Sequence, residues 1–126
     1  MTSAATPFAP NFPAPFTTTQ ALAQTLDARK AEADRLLQQG IQQYDTSQFE
    51  AALQSWQQAL SLYREIKDRL GEGAALGNLG NAYNSLGDYA KAIEYHQQSL
   101  VIAREIKNRS GEGAALGNLG NAYDSL

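Results

Sequence analysis

From about residue 31 onward, apolar residues recur at intervals of three and four positions along the chain. Clear series cover residues 49–66 and residues 75–86. This spacing places the apolar side chains on one face of a helix, so it predicts amphipathic α-helices rather than strands. In the short link after the second series, Gly87 can end one helix and Asp88 can cap the next. Because links this short require antiparallel neighbours, the pattern predicts helical hairpins.

Polar residues near the predicted helix ends suggest how those ends are stabilised. Ser47 and Glu50 have the spacing of a capping box, so we expect Ser47 to cap the second helix of the first hairpin. Oppositely charged residues four positions apart are expected to pair on one helix face. These pairs are Glu65 with Arg69 and Glu105 with Arg109.

The hairpins belong to a repeat of 40 residues. Residues 71–86 recur as residues 111–126, with Asn84 against Asp124 as the one difference. Self-similarity at a fixed period of this size is typical of solenoid proteins, and it outweighs any single-site motif. The array is expected to cover residues 27–126, with repeat 1 at about 31–70, repeat 2 at 71–110 and an incomplete repeat 3 at 111–126.

Residues 1–26 differ in composition from the array. All four prolines of the chain lie here: Pro7, Pro10, Pro13 and Pro15. Proline fixes φ and removes a backbone donor, so we expect a flexible tail. Residues 21–23 (Ala-Leu-Ala) have the small-x-small pattern of a signal cleavage site, but no basic residue follows Met1. We therefore expect a cytoplasmic protein by default, or an exported one if a signal peptide precedes these residues.

Glycines within a predicted helix call for an explanation, because each costs about 1 kcal/mol relative to alanine. Gly73, Gly77 and Gly80 are spaced four and three apart and so share one helix face. This stripe predicts a close approach of a neighbouring helix, with large side chains filling the gap from the other side. A phosphate-binding loop would need a preceding strand, and the pattern does not supply one.

Composition and charge narrow the classes of function. The chain has 126 residues, a formal net charge of −3, no cysteine and one histidine. Disulfides, cysteine-bound zinc and thiol nucleophiles are excluded, and the acidic balance does not favour nucleic acid. His96 lies on the apolar stripe of its helix, where spacing gives it no Ser, Cys or carboxylate partner. We therefore predict a packed His96, no cofactor, no metal and no enzyme activity.

The residues of the repeat unit resemble the pattern of a known family. Leu76-x2-Leu79-Gly80-x2-Tyr83, followed by Ala92-x3-His96, resembles the tetratricopeptide repeat pattern. The resemblance implies an all-α fold, a right-handed α-solenoid of antiparallel helix pairs. Positions that match the signature are Leu36, Gly40, Ala52, Trp56, Leu76, Leu79, Gly80, Tyr83, Ala92, His96, Leu116, Leu119, Gly120 and Tyr123.

The repeat is longer than the usual family unit of about 34 residues. Arg104 stands where the family usually has proline, so we expect the second helix to continue through Arg-Glu-Ile-Lys. The longer unit looks like the repeats of kinesin light chains and of the adaptors that couple G proteins to the mitotic spindle. It is also similar to bacterial arrays that precede a caspase-like (CHAT) domain.

The resemblance implies a groove, lined by the first helix of each repeat, that binds a peptide of a protein partner. Side-chain amides offer donors and an acceptor, so asparagines along such a groove can hold a peptide backbone. Candidate peptide-binding residues are Asn78, Asn81, Asn118 and Asn121, with Asn84, Asp124 and Tyr44 continuing the face. Gly77 and Gly117 stand where a basic residue would complete a carboxylate clamp, which argues against a C-terminal carboxylate ligand. Alternatively, the amides bind neighbouring helices or water.

Three functions stay open from the sequence. The first is a protein-interaction scaffold, and the second is a regulatory arm of a larger caspase-like peptidase. The third is a self-assembling spacer, because the incomplete third repeat is expected to leave Leu116, Leu119 and Tyr123 partly uncovered.

Overall fold

The computed structural model describes residue 15 and residues 17–126, and this part of the chain folds into five α-helices. The all-α prediction is confirmed. The helices are α1 (Thr18–Asp45), α2 (Phe49–Glu65), α3 (Arg69–Ser85), α4 (Tyr89–Glu105) and α5 (Arg109–Asp124).

All four links between helices are three residues long and share one backbone path. In the third link, the Gly87 amide donates to the carbonyl of Asn84 and the Asp88 amide donates to the carbonyl of Tyr83. These two hydrogen bonds form a Schellman motif, which ends a helix through a residue with left-handed backbone. The left-handed residues of the four links are Ser47 (φ 62°), Lys67 (φ 58°), Gly87 (φ 80°) and Lys107 (φ 57°).

The predicted capping roles are partly confirmed. Asp88 caps α4, since its side chain accepts a hydrogen bond from the Lys91 amide. The prediction that Ser47 caps α2 is wrong. Ser47 takes the left-handed position of the link, so the cap position falls on Gln48, which forms no side-chain capping hydrogen bond.

The predicted tail boundary at residue 26 is also wrong, because α1 already begins at Thr18. A capping box starts this helix: the Thr17 hydroxyl accepts from the Gln20 amide, and the Gln20 side chain accepts from the Thr17 amide. The residues that follow include alanine, leucine and glutamine, which favour helix once the prolines are passed. The rest of the predicted tail, residues 1–14 and residue 16, lies outside the described residues.

The helices form two layers. α3 contacts both α1 and α5, whereas the backbones of α2 and α4 do not approach each other. The stack therefore bends with α1, α3 and α5 on its inner side. Most of the core lies between α1, α2 and α3, and a smaller cluster between α4 and α5 includes Ile93 and Leu119.

The glycine stripe of α3 is the surface on which α4 packs, as predicted. A Cβ placed on Gly80 would lie 2.5 Å from Cε1 of His96, and one on Gly73 would lie 3.2 Å from Cγ2 of Ile102. In the first hairpin, Gly40 faces the ring of Trp56 in the same manner. Each hairpin thus places a ring of its second helix directly against a glycine of its first.

The equivalent stripe of α5 is open. A Cβ added to Gly113, Gly117 or Gly120 would meet no atom of the described chain within 4 Å. The signature positions that are exposed also lie in α5, with Leu116 47% and Tyr123 52% exposed. The expectation that these two side chains are uncovered is confirmed, whereas Leu119 is buried against α4.

The matched glycines Gly80 and Gly120 give a direct test of close packing. We expect Gly80→Ala to lower the free energy of unfolding by about 1–3 kcal/mol, because the new methyl group overlaps the His96 ring. Gly120→Ala should instead raise it by up to about 1 kcal/mol through helix propensity, since its Cβ meets only open space. Urea denaturation followed by circular dichroism measures both. Equal effects of the two substitutions would contradict this packing.

Candidate functional site

A cavity of about 320 Å³ opens between α3, α4 and α5. α3 and α5 form its walls, and α4 forms its floor. The floor is accessible because Gly73 and Gly77 of α3 carry no side chain that could cover it. Ser99 on the floor donates a hydrogen bond of 3.0 Å to the carbonyl oxygen of Gly73, which fixes α4 against this wall.

Three of the candidate asparagines line this cavity. Asn78 and Asn81 contribute from α3 and Asn118 contributes from α5, and all three are half-buried. The hydrogen bonds that cross between helices nearby are made by other residues, such as the Gln97 amide, which donates to the Tyr123 hydroxyl at 3.3 Å. The three asparagines line a space that a ligand can enter.

The other candidates lie elsewhere. Asn121 and Asp124 are exposed on α5 and do not line the cavity. The Tyr44 hydroxyl forms a hydrogen bond of 2.8 Å with the hydroxyl of Ser85. Oδ1 of Asn84 is buried without a hydrogen-bond partner in the described chain. These four residues are not brought together with the cavity asparagines.

The floor of the cavity was not predicted from the sequence. It is formed by His96, Ser99, Ile102 and Ala103 of α4 and by Ile106, which directly follows this helix. These residues follow a spacing of three and four, which predicts a packed helix face. The sequence does contain one sign that part of this face is open to a ligand. The α3 residues that oppose it include Gly73 and Gly77, which carry no side chain.

His96 is buried, with 1% of its surface exposed, as the packing prediction required. It holds the position that Trp56 has in the first hairpin. The Trp56 indole donates a hydrogen bond of 3.0 Å to the carbonyl of Leu37, whereas Nδ1 of His96 has no partner in the described chain. Burial lowers the pKa of His96, because it disfavours the charged ring.

None of the described residues that line the cavity carries an Asp, Glu, Lys or Arg side chain. The ion pairs among α2 to α5 lie instead near the ends of these helices. Glu72 is buried and pairs with Arg64 at 3.1 Å and with Arg69 at 2.8 Å. A similar pair of 3.0 Å joins Arg104 to Glu112 in the next repeat.

The predicted i,i+4 pairs are wrong. Glu65 pairs with Arg29 at 3.0 Å, and Arg69 pairs with Glu72 and Glu105. Glu65 is the last residue of α2, whereas Arg69 is the first of α3. The two residues therefore stand on different helices. α4 likewise ends at Glu105, so the second helix does not continue through Ile106 and Lys107 as expected.

The described residues were also compared with the requirements of a metal site and of a membrane-spanning helix. No group of three or more His, Cys, Asp or Glu side chains lies close enough to hold a metal ion in the part of the chain that the structure describes. Within that same part, no helix has the length and apolar character needed to cross a bilayer.

Comparison with known proteins agrees with this geometry. A family model described as tetratricopeptide repeat matches residues 35–105 and residues 72–126. Among solved structures, the chain is similar to the TPR domain of Arabidopsis FLU, with 30% sequence identity and a TM-score of 0.75. That likeness covers 78% of this chain and 82% of the other. No curated protein sequence matches the chain significantly.

The buried His96 predicts a pH dependence of stability. An unfolded histidine binds a proton near pH 6.5, whereas the folded ring stays neutral to lower pH. The unfolded state then binds more protons, so the free energy of unfolding should fall as the pH drops below about 6.5, by at most about 1.4 kcal/mol per pH unit. Urea denaturation between about pH 7.5 and pH 5.5 measures this slope.

His96→Phe is the control for this slope, because phenylalanine cannot titrate. In this variant the free energy of unfolding should no longer fall between about pH 6.5 and the lowered pKa of His96. It should still fall at more acidic pH, where carboxylates titrate. An identical slope in both proteins would assign the dependence to other groups.

Proposed function

The chain belongs to the tetratricopeptide repeat family, and from this premise we propose that it is a non-catalytic scaffold that holds an extended segment of a partner protein in its inner groove. Tetratricopeptide repeats in general mediate protein–protein interactions. The observation that carries the proposal is the cavity between α3 and α5, whose walls carry Asn78, Asn81 and Asn118.

The chemistry of these side chains suits an extended peptide. Such a segment presents backbone N–H and C=O groups that lose water when they enter a groove, and each needs a new partner. An asparagine amide can donate to a carbonyl and accept from an N–H at once. Asn81 and Asn118 extend from opposite walls, so they can engage a backbone from both sides.

The same surface disfavours a ligand that is held by its terminal carboxylate. The cavity lining contains no Lys or Arg, and glycine stands at position 77, where the family resemblance would place a basic residue. An isolated carboxylate loses much solvation energy when it is buried without a cation. We therefore propose that an internal segment of the partner, rather than its C-terminus, occupies the groove.

Peptide display followed by alanine substitution tests this proposal. A peptide selected on the full chain should bind about tenfold more weakly to the Asn81→Ala, Asn118→Ala double variant, because two hydrogen bonds of roughly 0.5–1.5 kcal/mol each are lost. Isothermal titration calorimetry measures the Kd. Gln57→Ala, at an exposed position of α2, is the matched control and should bind as the original chain does. Unchanged binding by the double variant would overturn the asparagine proposal.

The open stripe of α5 favours a second candidate, association between two copies. In α3 an equivalent stripe is covered by α4, whereas Gly113, Gly117 and Gly120 meet no neighbour in the described chain. Exposed Leu116 lies on the same helix and adds apolar surface that association would bury.

Light scattering at several concentrations tests self-association. The mass should rise with concentration, and Leu116→Lys should abolish the rise because it places a charge in the buried contact. Val101→Lys is the control, since Val101 is 61% exposed on α4 and away from the open stripe. A mass of one chain at every concentration would exclude this candidate.

A further inference from the structure

The cavity beneath the groove has two chemically different ends. α4 runs antiparallel to α3, so Ile102 faces Gly73 near the start of α3 and His96 faces Gly80 near its end. The first end of the cavity is lined by the apolar side chains of Leu70, Ile102 and Ile106, together with Ser110 and with Asn108, whose Oδ1 already accepts from the Gly111 amide. The second end carries the neutral polar side chains of Asn78, Asn81, His96 and Asn118.

Substitutions between the two repeats explain why the cavity is present in the second hairpin. Gly73, Ala74 and Gly77 line it. The corresponding residues of the first repeat are Ala33, Asp34 and Leu37, which are larger at every position. In addition, the imidazole of His96 in the second repeat is smaller than the indole of Trp56, which holds the same position in the first repeat. The space is therefore created by residues that the first repeat lacks.

The volume and the lining restrict what can enter. A cavity of about 320 Å³ lies at the lower end of the range of about 300–1,000 Å³ for small-ligand pockets, so it suits one bulky side chain. Burial of an ionised group is costly unless an opposite charge is near. Because no Asp, Glu, Lys or Arg lines this cavity, an uncharged group is favoured.

The polar end favours a group that both donates and accepts hydrogen bonds. His96 is 1% exposed and its Nδ1 has no partner in the described chain, although buried polar atoms normally have one. A neutral imidazole has one donor nitrogen and one acceptor nitrogen, and amides offer both roles. A hydroxyl can match either role, whichever tautomer His96 adopts.

We propose that this cavity is a specificity pocket for an uncharged side chain with an apolar body and a hydroxyl tip, as in tyrosine. The apolar body lies against Ile102, and the hydroxyl lies at the end formed by Asn81 and His96. This proposal rests on the proposed function in one respect: the side chain that enters the pocket belongs to the partner segment that the groove holds.

Side-chain analogues test the pocket without any partner. The full chain, labelled with ¹⁵N, is titrated with p-cresol, propionate and n-butylamine while NMR follows the amides of Gly73, Gly77 and Gly111 and the ring nitrogens of His96. We expect saturable shifts with p-cresol and none with either charged probe. Absence of saturable shifts with p-cresol, or equal binding of a charged probe, would overturn the proposal.

Two variants fill the pocket from its rim. Ala74 and Ala114 line the cavity and are exposed, so Ala74→Phe and Ala114→Phe place a ring in it without changing the core. Each should weaken p-cresol binding at least tenfold, whereas Ala90→Phe, at an exposed position of α4 outside the cavity, should not change it. Unchanged p-cresol binding in both filled variants would place the probe elsewhere and refute the pocket.

The experiment separates this proposal from the function of the groove. If p-cresol binds as expected but the double asparagine variant still holds its selected peptide, the asparagine proposal fails alone. If the asparagine variant loses its peptide but p-cresol does not bind, the pocket proposal fails alone.

Discussion

The spacing between the helices of each hairpin is set where a ring of the second helix lies against a glycine of the first. Gly40 meets Trp56, and Gly80 meets His96. Any Cβ at these glycines would overlap the ring, so the loss of helix propensity is offset by close packing over the length of both helices. The remaining inner surface follows from this contact, because Gly73 and Gly77 continue the same stripe and uncover the floor of the cavity.

Much of this fold could be predicted from the sequence, because its signals are local and repeat. The glycine stripe, the link at Gly87 and the cap at Asp88 each follow from a rule that concerns neighbouring positions. The errors arise where a local rule has more than one solution. Ser47 is a good cap residue, yet the Schellman path of the link places it in the left-handed position. Likewise, Glu65 and Arg69 are four apart, but the link that separates α2 from α3 lies between them.

The candidate site was less predictable, because it depends on three helices at once. The sequence places Asn78 and Asn118 at equivalent positions of two repeats, and the structure brings both into one cavity. It does not do so for Asn121, the equivalent of Asn81, because no helix of the described chain lies beside α5 as α5 lies beside α3. A repeat pattern assigns the same role to equivalent residues, whereas a cavity also requires both of its walls.

The two hairpins have the same backbone plan but different interiors. In the first, Tyr44 and Trp56 pack with ring centroids 5.7 Å apart, and the indole nitrogen has a hydrogen-bond partner. In the second, Asn84 and His96 hold the equivalent positions, and each has a buried atom that finds no partner among the described residues. Unpaired buried polar atoms reduce stability, so these two atoms lower the stability of the second hairpin. The second repeat also has the smaller side chains along the groove. Lower stability and smaller side chains together are expected if the first repeat mainly stabilises the array and the second contributes the surface that recognises a partner.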